Sequence, residues 1–252
     1  MDYQINNQYL NAYKQGNLAI VSFKDHVYDL ITSIEESQVM MEFIREAGHD
    51  NEIKGLLLLN ESQGLGEAEY ENFIKGIMKE TITENQDEMP DFIQRNKRFR
   101  QINILNRFIH FLAEYHKLVF VGINCTIVTP FMGAALVADI RLASPDAVFS
   151  LAHRKYGLHP SGAIPYLLTH YLGHSKSIEV QLSDRLNAEE AFRLGLVSQI
   201  LPKDQFLENC IRYARPYLKS CRSTLQMTKR LNNFKHRWLG EYFEQETVLM
   251  NL

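Results

Sequence analysis

The stretch that decides the fold runs from Lys117 to Leu201 and reads KLVFVGINCTIVTPFMGAALVADIRLASPDAVFSLAHRKYGLHPSGAIPYLLTHYLGHSKSIEVQLSDRLNAEEAFRLGLVSQIL. Its apolar start predicts a buried strand over Leu118–Ile123, which a turn connects to a small-residue helix over Gly133–Ala138. A second strand is predicted over Asp139–Ala143. A loop punctuated by proline and glycine follows, and a helix is predicted from Ile164. Alternating strands and helices favour an α/β fold.

The residues before this stretch repeat the alternation. Leu18–Phe23 is rich in apolar and β-branched residues and predicts a strand. Ser33 stands three residues before Glu36, the spacing of a capping box, and the helix predicted there stops near Gly48. Ile53–Leu59 predicts a second buried strand. The order strand, helix, strand indicates a sheet with both faces covered.

Two other segments differ in character. Lys79–Arg100 is charged and weakly periodic, which indicates either a solvated loop or frayed helix, or a mobile lid over a site. From Ile102 the apolar residues recur at helical spacing. The last part of the chain predicts helices over Phe206–Leu218 and Thr224–Leu252.

Composition excludes several classes of function. The chain has 252 residues, 45% of them hydrophobic, and a formal net charge of −3. This length is enough for one large core, and the charge gives no sign of a nucleic-acid partner. No apolar run reaches about 18 residues, so no membrane span is expected. The amino-terminal residues lack the pattern of a signal peptide.

The number of cysteines bears on the cellular compartment, and the spacing of cysteines and histidines bears on a metal site. Cys125, Cys210 and Cys221 are few, odd in number and far apart. A disulfide framework is therefore not expected, and a cytoplasmic location is predicted. No CxxC or HxxxH spacing points to a metal, so none is predicted.

A series of anchors recurs in order between residues 117 and 202. Asn124 and Asp139 lie fifteen residues apart, and the others are Arg141, Ala143, Ser144, Phe149, Gly157, Pro160, Ala188–Ala191, Leu194–Val197 and Pro202. In this pattern the chain resembles the enoyl-CoA hydratase/isomerase (crotonase) superfamily. The resemblance extends, more weakly, over roughly residues 10 to 250.

The resemblance implies an architecture and a class of ligand. The expected fold is a crotonase (ClpP-like) β-β-α spiral core over residues 1–201, followed by a helical trimerisation region over residues 202–252. The expected assembly is a homotrimer or a hexamer. The expected substrate is an acyl thioester of coenzyme A or of an acyl-carrier protein, with no cofactor beyond the coenzyme A moiety of the substrate.

In that family two backbone N–H groups form an oxyanion hole that holds the thioester oxygen as it becomes an enolate. The first matching position here is Gly66-Glu67, with the Glu67 N–H as the donor. The second falls within Thr129-Pro130-Phe131. Proline has no N–H. Either the second donor is deleted at Pro130, or the Phe131 N–H one residue later takes its place.

The two glutamates of the family's hydratases are also missing. The first position is Gly133, which has nothing to titrate, and the second is His153. An imidazole can act as a base near neutral pH. His153 is therefore either a surviving catalytic base or a pocket residue. Tyr156 and His159 on the same loop either join it or have surface and packing roles.

Three functions remain open at this stage. The first is a divergent hydratase, isomerase or decarboxylase-type enzyme of fatty-acid or polyketide metabolism, with a partial oxyanion hole and His153 as base. Thr129 and Gly133 then belong to its substrate pocket. The second is a non-catalytic acyl-CoA-binding or scaffold protein. The third is a conventional hydratase or isomerase whose motifs are shifted in the sequence.

Overall fold

The structure, a computed structural model, describes residues 4–60, 62–82 and 91–249, with the side chains of residues 77–82 and 91–99 left out. Its strands are β1 Ile5–Asn6, β2 Leu10–Gln15, β3 Leu18–Phe23, β4 Gly55–Asn60, β5 Leu118–Ile123, β6 Thr126–Val128, β7 Ile140–Ala143, β8 Val148–Ser150, β9 Arg185–Asn187 and β10 Gln199–Ile200.

The helices alternate with the strands and then fill the last quarter of the chain. They are α1 Val27–Leu30, α2 Ile34–His49, α3 Glu67–Ile82, α4 Asp91–Glu114, α5 Met132–Leu136, α6 Ile164–Leu172, α7 His174–Gln181, α8 Ala188–Arg193, α9 Phe206–Ala214, α10 Arg222–Asn232 and α11 Leu239–Leu249. Short 3₁₀ helices cover Gln63–Leu65, Ala152–Tyr156, Tyr217–Lys219 and Asn233–His236.

The described strands form two sheets. The larger has seven strands in the order β1-β2-β3-β4-β5-β7-β10, antiparallel from β1 to β3 and parallel from β3 to β10. The smaller has the order β6-β8-β9, with β6 and β8 parallel. Because parallel strands end at the same edge, the segments that follow β3, β4 and β5 emerge together.

Strand β4 shows why the larger sheet is buried on both faces. Its side chains alternate: Leu56 and Leu58 join the main core, whereas Leu57 and Leu59 join a second cluster. Helix α9 covers that second face through Phe206 and neighbouring apolar residues. A strand buried on both sides reads as a continuous apolar run, as this one does.

Most of the predicted elements agree with the structure. Strands Leu18–Phe23 and Leu118–Ile123 are confirmed at both ends, and the helix predicted from Ile164 begins there. Ser33 caps α2 by accepting a hydrogen bond of 3.2 Å from the Glu36 N–H. The helix predicted over residues 133–138 covers residues 132–136 instead.

Of the alternatives left open for residues 79–100, the helical one agrees with the structure at both ends. Helix α3 extends into the segment as far as Ile82, and α4 begins within it at Asp91. The lid considered there falls on residues 83–90, which lie outside the described residues. The division of the chain at residue 201 stays a prediction. Among the described helices, none combines the length and the apolar character that a membrane crossing requires.

Candidate active site

The first oxyanion position lies where the chain leaves β4. The Ser62 hydroxyl accepts a hydrogen bond of 3.2 Å from the Gly64 N–H, which closes a tight turn. The Gly66 N–H then donates to the Gln63 carbonyl at 2.8 Å, and α3 begins at Glu67. The Glu67 N–H therefore belongs to the first turn of a helix, whose N–H groups have no partner inside the helix. Such a group can donate to an anion.

The second oxyanion position lies where the chain leaves β6 and enters α5. Pro130 has no N–H to offer. Phe131 is the N-cap residue of α5, and its N–H makes no backbone hydrogen bond among the described residues. Phe131 therefore has an N–H that is available as a donor at this turn, as the second of the two possibilities requires.

Gly133, which stands at the position of the family's first glutamate, is closed off by backbone. A Cβ added there would lie 1.8 Å from the carbonyl oxygen of Gly162 and 2.9 Å from Cδ1 of Ile109. Gly162 itself has φ +75°, and a Cβ added there would lie 2.5 Å from the carbonyl oxygen of Pro130. No side chain, and so no carboxylate, can occupy position 133 while this loop keeps its place.

The loop that closes over Gly133 is anchored by Glu246, on α11. Its Oε1 accepts from the Gly162 N–H at 3.0 Å, and its Oε2 accepts from the Ala163 N–H at 2.9 Å. Asn106 donates a third hydrogen bond, of 3.2 Å. Glu246 is only 5% exposed, and burial raises the pKa of its carboxyl although these hydrogen bonds oppose the rise.

Sequence reasoning missed Glu246, although a signal was present. Leu239, Tyr242, Phe243 and Glu246 follow one another at the spacing of a single helix face. An acid on an otherwise apolar helix face needs buried partners, because an unpaired buried charge is costly. That face packs against α4 and the loop before α6.

His153 lies in the 3₁₀ helix Ala152–Tyr156 and is 4% exposed. Its Nδ1 is 3.1 Å from the hydroxyl of Thr129, which is in turn 3.1 Å from the carbonyl of Ser150. A carbonyl only accepts, so both bonds form together when Thr129 donates to Ser150 and Nδ1–H donates to Thr129. Nε2 then keeps its lone pair.

The protonation of His153 follows from its surroundings. Burial, with smaller contributions from the nearby Arg154 and His159, lowers the pKa of the imidazole to about 4. The ring is therefore neutral at pH 7. A neutral ring with a free nitrogen can accept a proton, with less driving force than an exposed histidine would have.

The side chain of Glu67 connects the first oxyanion position with the hydrogen bonds of Thr129 and His153. It accepts a hydrogen bond of 2.5 Å from the Ser150 hydroxyl and forms an ion pair with Lys155. Burial alone raises the pKa of this carboxyl, but the bonds from Lys155 and Ser150 lower it below its usual value. Ser150 also accepts from the Thr129 N–H at 2.9 Å, so Glu67, Thr129 and His153 belong to one network.

An aromatic cluster covers this network on one side. The Tyr28 ring lies 4.6 Å from that of Phe73 and 5.1 Å from that of Phe131, and the Tyr70 ring lies 5.7 Å from that of Tyr156. The Tyr28 hydroxyl is buried without a hydrogen-bond partner among the described residues, and burial raises its pKa well above the usual value. Nothing in the sequence around Tyr28 marked it as part of the site.

Beneath Phe131 lies a small apolar cavity of about 40 Å³. Its wall comes from α1, β4, α4 and α5, and includes Val27, Ile31, Leu65 and Phe131. Ligand pockets usually measure about 300–1,000 Å³. This cavity is therefore smaller than a typical ligand pocket and has room for only a small apolar group.

The predicted site residues are thus only partly brought together. Thr129, His153 and Glu67 share one hydrogen-bonded network, and Tyr156 lies half-buried at its edge. His159 is exposed and acts on His153 only through its charge. Ser150 and Lys155, which complete the network, were not predicted, because only the fold brings them next to Glu67.

Comparison with known proteins agrees with this architecture. The family model described as enoyl-CoA hydratase/isomerase matches residues 112–251. The probable enoyl-CoA hydratase EchA12 of Mycobacterium tuberculosis is 35% identical over 133 residues, which are 52% of this chain and 47% of that protein. The chain thus spans about half the length of the curated mycobacterial relatives that it matches.

Solved structures extend the likeness to nearly the whole chain. A probable enoyl-CoA hydratase/isomerase from Mycobacterium abscessus superposes with a TM-score of 0.71 at 20% identity, covering 96% of this chain and 89% of that one. An enoyl-CoA hydratase from Bacillus halodurans gives 0.72 at 19% identity, covering 96% and 92%. The expected crotonase fold is confirmed, and the chain belongs to the enoyl-CoA hydratase/isomerase family.

Proposed function

We propose that this protein binds an acyl thioester, of coenzyme A or an acyl-carrier protein, and catalyses a proton transfer that uses one base. The observation that carries the proposal is the buried, neutral imidazole of His153, held by Thr129 two residues before Phe131. In the proposed step the Cα–H bond of the acyl group breaks. The proton goes to Nε2 of His153, and the electron pair moves onto the thioester oxygen as an enolate.

The N–H groups of Phe131 and Glu67 are proposed to hold that oxygen. Both stand at the start of helices, where unpaired N–H groups and the helix dipole favour negative charge. Losing one oxyanion donor typically costs about 10²–10³ in rate. If the N–H of Phe131 replaces the donor missing at Pro130, the protein should still catalyse the family's enolate chemistry, at a lower rate.

Isomerase-type chemistry fits this step better than hydration. Hydration in this family uses two carboxylates around one water, and position 133 has no room for a side chain. One base that removes a proton from one carbon and returns it to another is enough for a double-bond shift. No cofactor is proposed beyond the coenzyme A moiety of the substrate.

The proposal is tested by deuterium exchange. Butyryl-CoA is incubated with the protein in D₂O, and loss of the α-proton signal is followed by ¹H NMR. We expect measurable exchange by the wild-type protein and about 10²–10⁴-fold slower exchange by His153→Gln, the usual range for a general base. His159→Gln is the matched control and should exchange at the wild-type rate. Equal exchange by the two variants would refute the role of His153.

A non-catalytic acyl-CoA-binding role is the second candidate. It is favoured by the backbone that fills position 133 and by the small volume of the apolar cavity, about 40 Å³. Calorimetric titration with crotonyl-CoA separates the two functions. A saturable isotherm without continuing heat, combined with no α-proton exchange, supports binding alone.

A homotrimer or hexamer is also proposed. The resemblance to the family implies trimerisation through the helices of residues 202–252, and α11 there exposes the apolar side chains of Val248 and Leu249. Light scattering during gel filtration measures the assembly directly.

A further inference from the structure

A second cleft lies at the opposite edge of the sheet from the candidate active site. It encloses about 560 Å³ between the end of α4, the start of β5, α10 and the 3₁₀ helix Asn233–His236. The candidate active site follows the carboxyl ends of β4 and β6, whereas this cleft precedes the amino end of β5. Its volume falls within the range of small-molecule sites.

The lining of this cleft, the amino-edge cleft, is cationic. Arg230 and Arg237 face one carboxylate in the lining, that of Glu114, while the charge of Lys229 is paired with Asp139 at 2.8 Å. His110, His116 and His236 add imidazoles. Arg237 is stacked over the rings of Phe234 and Trp238 at 4.6 and 4.9 Å. Stacking restricts a guanidinium to a few orientations, which favours recognition of planar oxyanions.

Neighbouring cations also affect the buried groups of the cleft. Burial, with smaller contributions from Lys235, His170 and Lys229, lowers the pKa of His236 to about 4. Burial and the charges of Lys117 and Arg222 likewise lower the pKa of His116. Positive charges that disfavour protonation of two histidines create a potential that attracts an anion.

Some buried polar groups at the floor of the cleft have hydrogen-bonding atoms to which no partner is assigned among the described residues. Lys229 is buried and bonds with the Lys117 carbonyl at 2.9 Å and with Asp139 at 2.8 Å, which uses two of its three hydrogens. Beside it, Tyr115 and His236 are 5% and 8% exposed. The Tyr115 hydroxyl and His236 Nδ1 have no hydrogen-bond partner among the described residues. Orphaned buried polar groups are costly, which favours a ligand that satisfies them.

We infer that the amino-edge cleft is a binding site for a small organic anion that carries phosphate or carboxylate groups. Arg230 and Arg237 grip the oxyanion from the exposed side, because guanidinium groups bind such groups in bidentate fashion. Lys229, Tyr115 and His236 lie at the inner end, where they meet the ligand's remaining acceptors and donors. The site is separate from the proposed acyl site and does not depend on its chemistry.

Calorimetric titrations with pyrophosphate and with citrate, in buffer of low ionic strength, test this inference. We expect saturable binding of at least one of them, and the better probe identifies the phosphate or the carboxylate as the preferred group. Arg230→Gln should weaken it about 10- to 100-fold, which corresponds to the 1.5–3 kcal/mol of a charged hydrogen bond. Arg212 is exposed on α9, away from the cleft. The Arg212→Gln variant therefore has the same change of charge and should bind the anion as tightly as the wild-type protein does.

Two further variants keep the outcomes distinct. His153→Gln should retain the binding, since that residue belongs to the other edge of the sheet. Tyr115→Phe removes an orphaned hydroxyl, so it should weaken anion binding without lowering the melting temperature. The inference is overturned by no saturable heat with either anion, by equal affinity of the Arg230→Gln and Arg212→Gln variants, or by loss of binding in His153→Gln.

Discussion

Replacing Gly133 by alanine tests whether backbone really fills the position of the missing glutamate. The added Cβ would stand 1.8 Å from the Gly162 carbonyl, well inside contact distance, so either the loop or α5 must move. The neighbouring atom is backbone rather than the end of a flexible side chain. Relief therefore requires displacement of the whole loop that Glu246 anchors.

The magnitude follows from two contributions. Overpacking a tight interior typically costs about 1–3 kcal/mol. Moving the loop also weakens the hydrogen bonds of Gly162 and Ala163 to Glu246, and each bond to a charged group contributes about 1.5–3 kcal/mol. With one of those bonds lost, Gly133→Ala should lower the free energy of unfolding by about 2.5–6 kcal/mol.

Urea unfolding followed by circular dichroism measures this change. With a slope of about 3 kcal/mol/M, the midpoint should fall by about 1–2 M. Gly76→Ala is the matched control: Gly76 is exposed within α3, and an added Cβ meets nothing within 4 Å. It should raise stability by about 0.5–1 kcal/mol, the usual gain for a helical glycine. A loss below about 1 kcal/mol for Gly133→Ala would show that the loop yields and that the position is open to a side chain.

Two other predictions concern buried titratable groups. The pKa of His153 is about 4 in the folded protein and about 6.5 in the unfolded chain. Between these values the folded protein binds fewer protons than the unfolded chain. The free energy of unfolding should therefore fall by about 3 kcal/mol as pH drops from 6.5 to 4. His153→Gln should remove this part of the pH dependence in urea titrations while His159→Gln keeps it, and identical profiles would contradict the assignment. Glu246→Gln should cost about 1–3 kcal/mol at pH 7 by thermal or urea unfolding, because the glutamine NH2 group would face one of the two backbone N–H donors and cannot accept from it. Glu244→Gln, exposed on the same helix, should change little, and equal losses in both would refute the anchoring role.

The larger sheet was predictable because its central strands are buried on both faces. Such strands appear as unbroken apolar runs, and the predicted ends of Leu18–Phe23 and Leu118–Ile123 were correct. The smaller sheet gave no such signal. Its strands β6, β8 and β9 have three residues each, too few for a period to be read.

The sequence predicted which groups of the family's site are missing better than it predicted which residues occupy the site instead. Pro130 and Gly133 lack a donor and a carboxylate whatever the fold, so the sequence alone was enough. The network of Glu67, Ser150 and Lys155 depends on residues more than 80 positions apart, which only the folded chain brings together. The depressed pKa of His153 likewise comes from burial, which a single sequence does not reveal.

The anchoring of the loop by Glu246 has a consequence for the order of events during synthesis. Gly162 and Ala163 precede Glu246 by 84 and 83 residues. At about 5–20 residues per second, the ribosome adds Glu246 roughly 4–17 s after the loop. A nascent chain can pair β3, β4 and β5 in that interval, but its loop has no carboxylate to hold it over Gly133. In a newly made molecule, the loop over Gly133 can therefore be anchored only after Glu246 has been added to the chain.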